Sequence, residues 1–214
     1  GNPLNKGSVV YDEAQQRYVI QGAGTNMWTN HDEFQFVWQH ISGNFIATAR
    51  ASFIGKGVEQ HRKTGWIVRS SLDADAAQVS VVLHGDGLTS LQFRRSKGAN
   101  VEELRSQITR PDILQLERKG DTYTLSVAHF GDVFAETKQV SIDFGNEVYI
   151  GLFVCSHNKD IVEKAAFDNV RITRPASDTF VPYRDYIGSD LETMDVASGL
   201  RRIIYTAADS FQAP

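Results

Sequence analysis

The chain has 214 residues, of which 41% are hydrophobic and 22% charged, so it can bury one sizeable core with or without a small appendage. Its formal net charge is only −4 and it contains no long run of Lys or Arg, which argues against a nucleic-acid backbone or an anionic membrane as partner. No apolar run approaches the roughly 20 residues of a membrane-spanning helix, so we expect no transmembrane segment.

The first quarter of the chain predicts short strands. Residues 8–22 indicate two strands around a polar turn, and the next strand, DEFQFVWQ, places Phe34, Phe36 and Trp38 on one face. Three aromatic residues at period two also suit stacking against sugar rings, but we expect this aromatic row to line the core. The following strand, NFIATARASF, alternates small and aromatic residues, and we expect it to pair with the aromatic strand through the turn at 42–44.

The central stretch, residues 63–95, predicts three consecutive strands with a tight turn at 85–87. Side chains alternate along a strand, so Trp66, Val68 and the apolar residues at matching positions of the next two strands should face the core. The other face then gathers hydrogen-bonding side chains that suit a polyhydroxylated ligand, although an ordinary solvated face has the same pattern. The candidate ligand-binding residues are Arg69, His84, Gln92, Arg94 and Lys63.

The polar loop at 54–64 precedes this unit and carries Glu59 and His61 at the rim of the same face. Later strands are indicated at 113–118 and 122–130, and the apolar run at 148–156 is typical of a strand covered on both sides. The single cysteine lies in that run and cannot form an internal disulfide. About ten to thirteen short strands separated by Gly, Asn and Asp turns predict an all-β antiparallel sandwich or jelly roll.

The character of the sequence changes after residue 175, where two prolines precede two short predicted strands around Ser198-Gly199. We therefore divide the chain into a sandwich domain at residues 1–175 and a short C-terminal extension at residues 176–214.

The order of motifs resembles the concanavalin A-like lectin/glucanase sandwiches, and among them the laminin-G-like modules of bacterial carbohydrate-active and envelope proteins. The resemblance covers roughly residues 8–173 and rests on GSVVYD, GTNMW, DEFQF, KTGWIVRSSL, VVLHGDGLTSLQFRR, LQLERKGDTYTL, VYIGLFVCSHN and AFDNVRI. It implies a two-sheet jelly-roll sandwich, a carbohydrate ligand, and an exported location, periplasmic or extracellular. The tail, SDLETMDVASG followed by RRIIYT, resembles the opening strands of a TolB-like β-propeller, which implies a following propeller domain.

Catalysis is the first alternative to simple glycan binding. The ExDxxE strand of sandwich-fold glucanases is absent, and a glycosidase needs two carboxylates about 5 to 9.5 Å apart. The related 3-keto-disaccharide hydrolase sandwiches offer another route, for which Glu59, His61 and His84 are the candidate catalytic residues, with either histidine as general base. A protein-interaction module attached to a propeller is the second alternative.

Metal ligands do not stand out in the sequence. Its six histidines form no HxH or HxxxH pair, and a single cysteine excludes a thiolate zinc cage. The family resemblance leaves Ca²⁺ open through loop carboxylates and carbonyls, but no loop carries an EF-hand pattern. We assign no metal and no other cofactor.

Overall fold

The computed structural model describes residues 1–134, 136–176, 179 and 189–207. Within these ranges every regular element is a β-strand, and no helix could cross a membrane. The strands are β1 (Ser8–Asp12), β2 (Arg17–Gly24), β3 (Gln35–Ser42), β4 (Phe45–Ile54), β5 (Lys63–Arg69), β6 (Gln78–His84), β7 (Thr89–Arg94), β8 (Glu102–Arg105), β9 (Ile113–Lys119), β10 (Thr122–Ala128), β11 (Glu136–Ser141), β12 (Glu147–Cys155), β13 (Asn158–Thr173), β14 (Ser189–Met194) and β15 (Arg201–Ala207).

Two antiparallel sheets form a jelly-roll sandwich, which confirms the predicted fold class. The seven-stranded sheet has the order β1-β2-β13-β4-β9-β10-β11, and the six-stranded sheet has the order β3-β12-β5-β6-β7-β8. Five of the eleven neighbouring pairs, β2-β13, β13-β4, β4-β9, β3-β12 and β12-β5, are distant in sequence, as the crossovers of a jelly roll require.

The inner faces of the two sheets meet in one hydrophobic core. Period-two alternation sends Trp66 and Val68 of β5 inward together with the apolar residues of β6 and β7, as predicted. The alanines of β4 belong to the same cluster, and their small side chains leave room for Trp66 and Phe167. Each fully buried Val, Leu, Ile or Phe of this kind contributes about 1.5–3 kcal/mol.

The predicted hairpin between β3 and β4 is wrong, because the two strands belong to different sheets. Strand β3 pairs with β12, whereas β4 pairs with β13 and β9. Gly151 of β12 makes the first pairing possible, since a Cβ atom there would lie 1.9 Å from the carbonyl oxygen of Val37. The turn at 42–44 therefore carries the chain from one sheet to the other.

The aromatic row also lies on the opposite face from the one we predicted. Val37 and Ile41 are the residues of β3 that pack against the sandwich core. Phe34 and Phe36 instead pack in a second cluster on the outer face, and Trp38 is 46% exposed. Strand β3 has apolar residues on both faces, so its sequence does not indicate which face turns inward. The predicted alternation of its side chains is correct, but the predicted orientation of the strand is wrong.

Strand β12 is covered on both sides, as its composition predicts. Ile150 and Leu152 lie in the sandwich core, whereas Phe153 and Cys155 belong to the outer cluster with Met27. Burial raises the pKa of the Cys155 thiol to about 11, so this free cysteine stays protonated at neutral pH.

The two predicted tail strands are present as the hairpin β14-β15, which packs against the seven-stranded sheet. Asn169 anchors it twice: its Nδ2 donates to the carbonyl of Gly199 at 3.1 Å, and its Oδ1 accepts from the amide of Arg201 at 2.8 Å. An ion pair of 2.7 Å joins Arg171 to Glu192. Residues 177–178, 180–188 and 208–214 of the extension lie outside the described residues, and the propeller resemblance and domain boundary stay predictions.

Candidate functional site

Residues 25–34, here called the cover segment, lie over the middle of the outer face of the six-stranded sheet. Met27 of this segment is fully buried against Ile67, Val82 and Phe153 of the sheet. The amide of Asp32 donates to the carbonyl of Ala74 at 2.8 Å, which ties the segment to the loop between β5 and β6. The cover segment therefore leaves the outer face open only to its two sides.

A buried ion-pair triad fixes the cover segment in place. Asp32 is fully buried, and its carboxylate accepts from Arg69 Nη1 at 2.6 Å and from Arg94 Nη1 and Nη2 at 2.8 and 2.6 Å. Arg94 also donates to the carbonyls of Thr29 and Ala99. Two guanidinium groups sharing one carboxylate, with their remaining donors on backbone carbonyls, satisfy a charge cluster that would otherwise be costly to bury.

This triad corrects the expectation of an open sheet face at Arg69 and Arg94. Both side chains do point outward beside His84 and Gln92, as the alternation predicts, but they are 2% and 0% exposed beneath the cover segment. Their donors are engaged by Asp32 and by backbone carbonyls, so we assign them a structural role. Arg69 also lines a groove on one side of the cover segment, so an alanine at Arg94 is the substitution that tests stability rather than ligand contact.

One open side of the outer face is a pocket of about 230 Å³. Here it is called the polar pocket, and it brings together Lys63, His61 and His84, three of the candidate residues named from the sequence. Its lining also comes from the cover segment, from β8 and from the turn before β13. The lining residues are Asn26, Trp28, His61, Lys63, His84, Leu88, Glu103, Arg105 and His157.

Lys63 lies at the base of the polar pocket with its ammonium group buried. It is 2% exposed, and its Nζ donates to the Oδ1 of Asn26 at 2.9 Å. Among the described residues Lys63 forms no ion pair, although the negative charges of Glu103 and Asp32 act on it from a distance and favour its charged form. Burial is the largest influence and lowers the pKa of Lys63 below its ordinary value.

His84 lies directly across from Lys63 in the β5-β6 pairing, and its tautomer follows from its neighbours. Gln92 places its amide nitrogen 3.1 Å from Glu103 Oε1 and 3.0 Å from His84 Nε2. A carboxylate only accepts, so the Gln92 atom is a donor, and the imidazole Nε2 must accept from it. The neutral ring therefore carries its proton on Nδ1, a buried atom for which the described part of the chain supplies no hydrogen-bond partner.

Burial and the nearby ammonium group of Lys63 lower the pKa of His84 to about 4, so the ring is neutral at pH 7. Glu103 has its carboxylate held by Gln92 and, at 2.7 Å, by Arg105. Burial pushes the pKa of Glu103 upward, but these hydrogen bonds and the Arg105 charge outweigh it and keep the pKa below its ordinary value. The base of the pocket thus holds one anion, whose oxygens are engaged, and two groups with donors to offer.

His61 and His157 form the rim of the polar pocket. Backbone bonds hold the loop of His61: Gly85 donates to Arg62 and Asp86 donates to Gln60, each at 3.0 Å. The ring of His61 lies 6.1 Å from that of His84 and 5.7 Å from that of His157, measured between centroids. His157 has φ of +60°, a left-handed conformation that His adopts more readily than most residues and that turns its ring towards this cluster.

Glu59 is not in the pocket lining. Its Oε1 accepts from the side chain of Asn158 at 3.4 Å, which places it behind His157 rather than beside the other candidates. Of the candidate catalytic set, the structure thus brings together His61 and His84, and it adds His157. Within the described part of the chain, no three His, Cys, Asp or Glu side chains are arranged to hold a metal ion.

The other open side of the outer face is aromatic. Trp38 packs edge-on against Tyr149 with ring centroids 5.0 Å apart, and His40 lies at the same distance from Tyr149. A groove of about 660 Å³ runs past Trp38 and Phe36. No residue lines both this groove and the polar pocket, which agrees with a cover segment that divides the face.

Sequence reasoning missed six of the nine residues that line the polar pocket: Asn26, Trp28, Leu88, Glu103, Arg105 and His157. Trp28 lies in GTNMW and Glu103 lies in the polar stretch VEELRSQ, and neither stretch has the period-two pattern of a strand. The four residues of strand β8, EELR, carry no clear alternation, and the pairing of Glu103 with Gln92 is visible only in the structure. Nothing in the local sequence indicates that the turn before β13 returns to the same pocket.

No protein-family model matches the chain, and no curated protein matches it. Several solved structures are similar to the chain. A functionally unknown protein from Saccharomyces cerevisiae superposes with a TM-score of 0.61 at 14% identity, covering 82% of this chain and 95% of that one. A family 7 alginate lyase in complex with product superposes with a TM-score of 0.53 at 11% identity, and the match covers 78% of this chain and 83% of that one.

A GH43 protein from Bacillus licheniformis gives a TM-score of 0.54 at 11% identity, covering 75% of this chain but only 33% of that one. The match is therefore to one part of a larger protein. At these identities the similarity shows the fold alone: the chain is a jelly-roll β-sandwich of the architecture that these three proteins share.

Proposed function

We propose that the chain is a carbohydrate-binding β-sandwich module whose ligand enters the polar pocket. The observation that carries this proposal is the combination of a 39% exposed Trp28 with hydrogen-bonding groups of several kinds around one small opening. An indole face stacks on the apolar face of a sugar ring, while imidazole, ammonium, amide and carboxylate groups meet its hydroxyls.

The residue types in the pocket support a sugar, which offers both an apolar ring face and hydroxyls. Leu88 and Trp28 are its apolar lining residues, and the remaining members carry polar atoms. The similar structures support the proposal in a general way, since two of them are named as an alginate lyase and as a GH43 protein. An exported location belongs to the proposal through the family resemblance, and detection of the full-length protein in a periplasmic or secreted fraction would test it.

Isothermal titration against a panel of oligosaccharides, after a glycan-array screen, tests the proposal. We expect Trp28→Ala to weaken binding of any hit by about 5- to 100-fold, because removing an aromatic platform costs roughly 1–3 kcal/mol. Trp38→Ala is the matched control, since it removes an exposed tryptophan from the aromatic side of the cover segment. Absence of a hit, or loss of binding with Trp38→Ala alone, would contradict the proposed site.

A hydrolase-like activity is the second candidate, and the three clustered histidines favour it. His61 is the exposed member and could exchange protons with a bound ligand, whereas His84 is neutral and buried. Glu103 is the one carboxylate among the pocket residues, so a mechanism with two carboxylates has no support here. Release of sugar from 3-keto-disaccharides that disappears with His61→Ala, while binding persists, would establish this function in place of simple binding.

A further inference from the structure

The base of the polar pocket contains a buried positive charge for which the fold supplies little compensation. The Lys63 ammonium has three hydrogens, and Asn26 Oδ1 is its hydrogen-bond acceptor. That oxygen also accepts from the amide of Met27 at 2.8 Å, so it is shared. Burying an ammonium group costs several kcal/mol unless it is paired and hydrogen-bonded, and proteins seldom leave one in this state without a reason.

A second donor without a partner stands beside it. Lys63 and His84 are direct partners in the β5-β6 register, and side chains at such positions lie on the same face with Cβ atoms about 4.5–5.5 Å apart. Among the described residues the buried Nδ1–H of His84 has no hydrogen-bond partner, and His84 is 5% exposed in the lining of the polar pocket. Two adjacent donors of this kind match the two oxygens of an oxyanion.

The other charged residues of the polar pocket are compatible with a bound anion. Arg105 adds a positive charge at the rim, and Glu103 has its oxygens occupied by Arg105 and Gln92. The lining residues thus sum to one net positive charge, because Lys63 and Arg105 oppose a single carboxylate. Glu103 is the one carboxylate in the lining. Outside the lining, Asp86 acts electrostatically on His84, Glu59 acts on His157, and Asp32 acts on Lys63 while its carboxylate is paired with Arg69 and Arg94.

We propose that the polar pocket recognises an anionic group on a sugar, a carboxylate or a sulfate, held between Lys63 Nζ and His84 Nδ1. This inference rests on the proposed function, since it names the class of glycan that the same pocket takes. The anion provides the missing counter-charge for Lys63 and the missing acceptor for His84 in a single contact, while Trp28 faces the attached ring.

The test compares matched pairs of oligosaccharides by isothermal titration. One pair is an oligogalacturonate and the same oligosaccharide with its carboxyl groups reduced to alcohols, and the other is a sulfated oligosaccharide and its desulfated form. We expect one acidic member to bind at least about 10-fold more tightly than its neutral partner, because a desolvated charge contact outweighs a neutral hydrogen bond. The pair that shows the preference identifies the anion as carboxylate or sulfate.

Lys63→Met should abolish the preference for the acidic member, because the acidic and the neutral member then meet the same uncharged side chain. Met keeps the length and apolar stem of the lysine, and Lys119→Met, at an exposed position on the other sheet, is the control. Equal binding of acidic and neutral members to the unmodified protein overturns the inference and leaves the proposed function standing. Absence of binding by every member refutes the proposed function, and the inference with it.

Discussion

Replacing Asp32 by alanine is the sharpest test of how the outer face is organised. The carboxylate is fully buried and is the shared acceptor of Arg69 and Arg94, at 2.6 Å from the nearest nitrogen of each. Removing one partner of a buried ion pair leaves an uncompensated charge and costs about 3–5 kcal/mol, and here two guanidinium groups are left. Since 1 kcal/mol shifts the melting temperature of a domain of this size by about 2–4 °C, we expect a loss of about 6–20 °C.

Chemical denaturation with urea, followed by tryptophan fluorescence, measures the free energy directly, and differential scanning calorimetry gives the melting temperature. Asp32→Asn should fall between the wild type and alanine, because the amide keeps one oxygen acceptor without the charge. Glu102→Ala is the control: it removes the partner of Arg95 in an ion pair of 2.8 Å in which both side chains are 51% exposed, and such pairs contribute about 0–1 kcal/mol. If Asp32→Ala cost no more than Glu102→Ala, the triad would not hold the cover segment.

Three further results follow from the same contacts. The pKa of His84 is about 4 in the folded protein and 6.5 in the unfolded chain, so the unfolded chain binds more protons between these two pH values. The free energy of unfolding should therefore fall by up to about 3 kcal/mol as the pH drops from 6.5 to 4. His84→Gln should flatten that part of the curve in urea titrations at several pH values, and an unaltered slope would count against the buried neutral ring. Gly151→Ala should destabilise by at least about 1–3 kcal/mol, since its Cβ would meet the carbonyl of Val37 at 1.9 Å, and unchanged calorimetry would refute this packing. Lys63→Met should raise the melting temperature of the ligand-free protein by relieving a buried charge, whereas Lys119→Met should not; a lower melting temperature would show that the ammonium is already well compensated.

Alternation along the strands was sufficient to predict the inner and outer faces of β5, β6 and β7. Trp66 and Val68 lie in the core, and Arg69 and His84 lie on the other face, because a one-residue change of register would exchange every side chain at once. The burial of that outer face was not predictable in the same way. Asp32 sits in a polar loop, and its partners are 37 and 62 residues away, so only the tertiary structure reveals that it is buried.

The residues of the polar pocket show the same difference between what local sequence predicts and what only the tertiary structure reveals. Lys63, His61 and His84 came from one continuous stretch of sequence, where strand period and a polar loop place them together. Trp28 and His157 reach the pocket through loops whose course depends on long-range contacts, and local sequence does not encode such contacts.

The cover segment carries its pocket-lining side chains and its main anchors at different positions. The side chains that it contributes to the pocket, Asn26 and Trp28, lie outside the sandwich core, whereas its attachment depends on Met27 and Asp32. Gene duplicates could therefore diverge in ligand preference through a few codons while they inherit the same scaffold. A laboratory selection could exploit the same division by randomising only the two pocket positions and keeping both anchors.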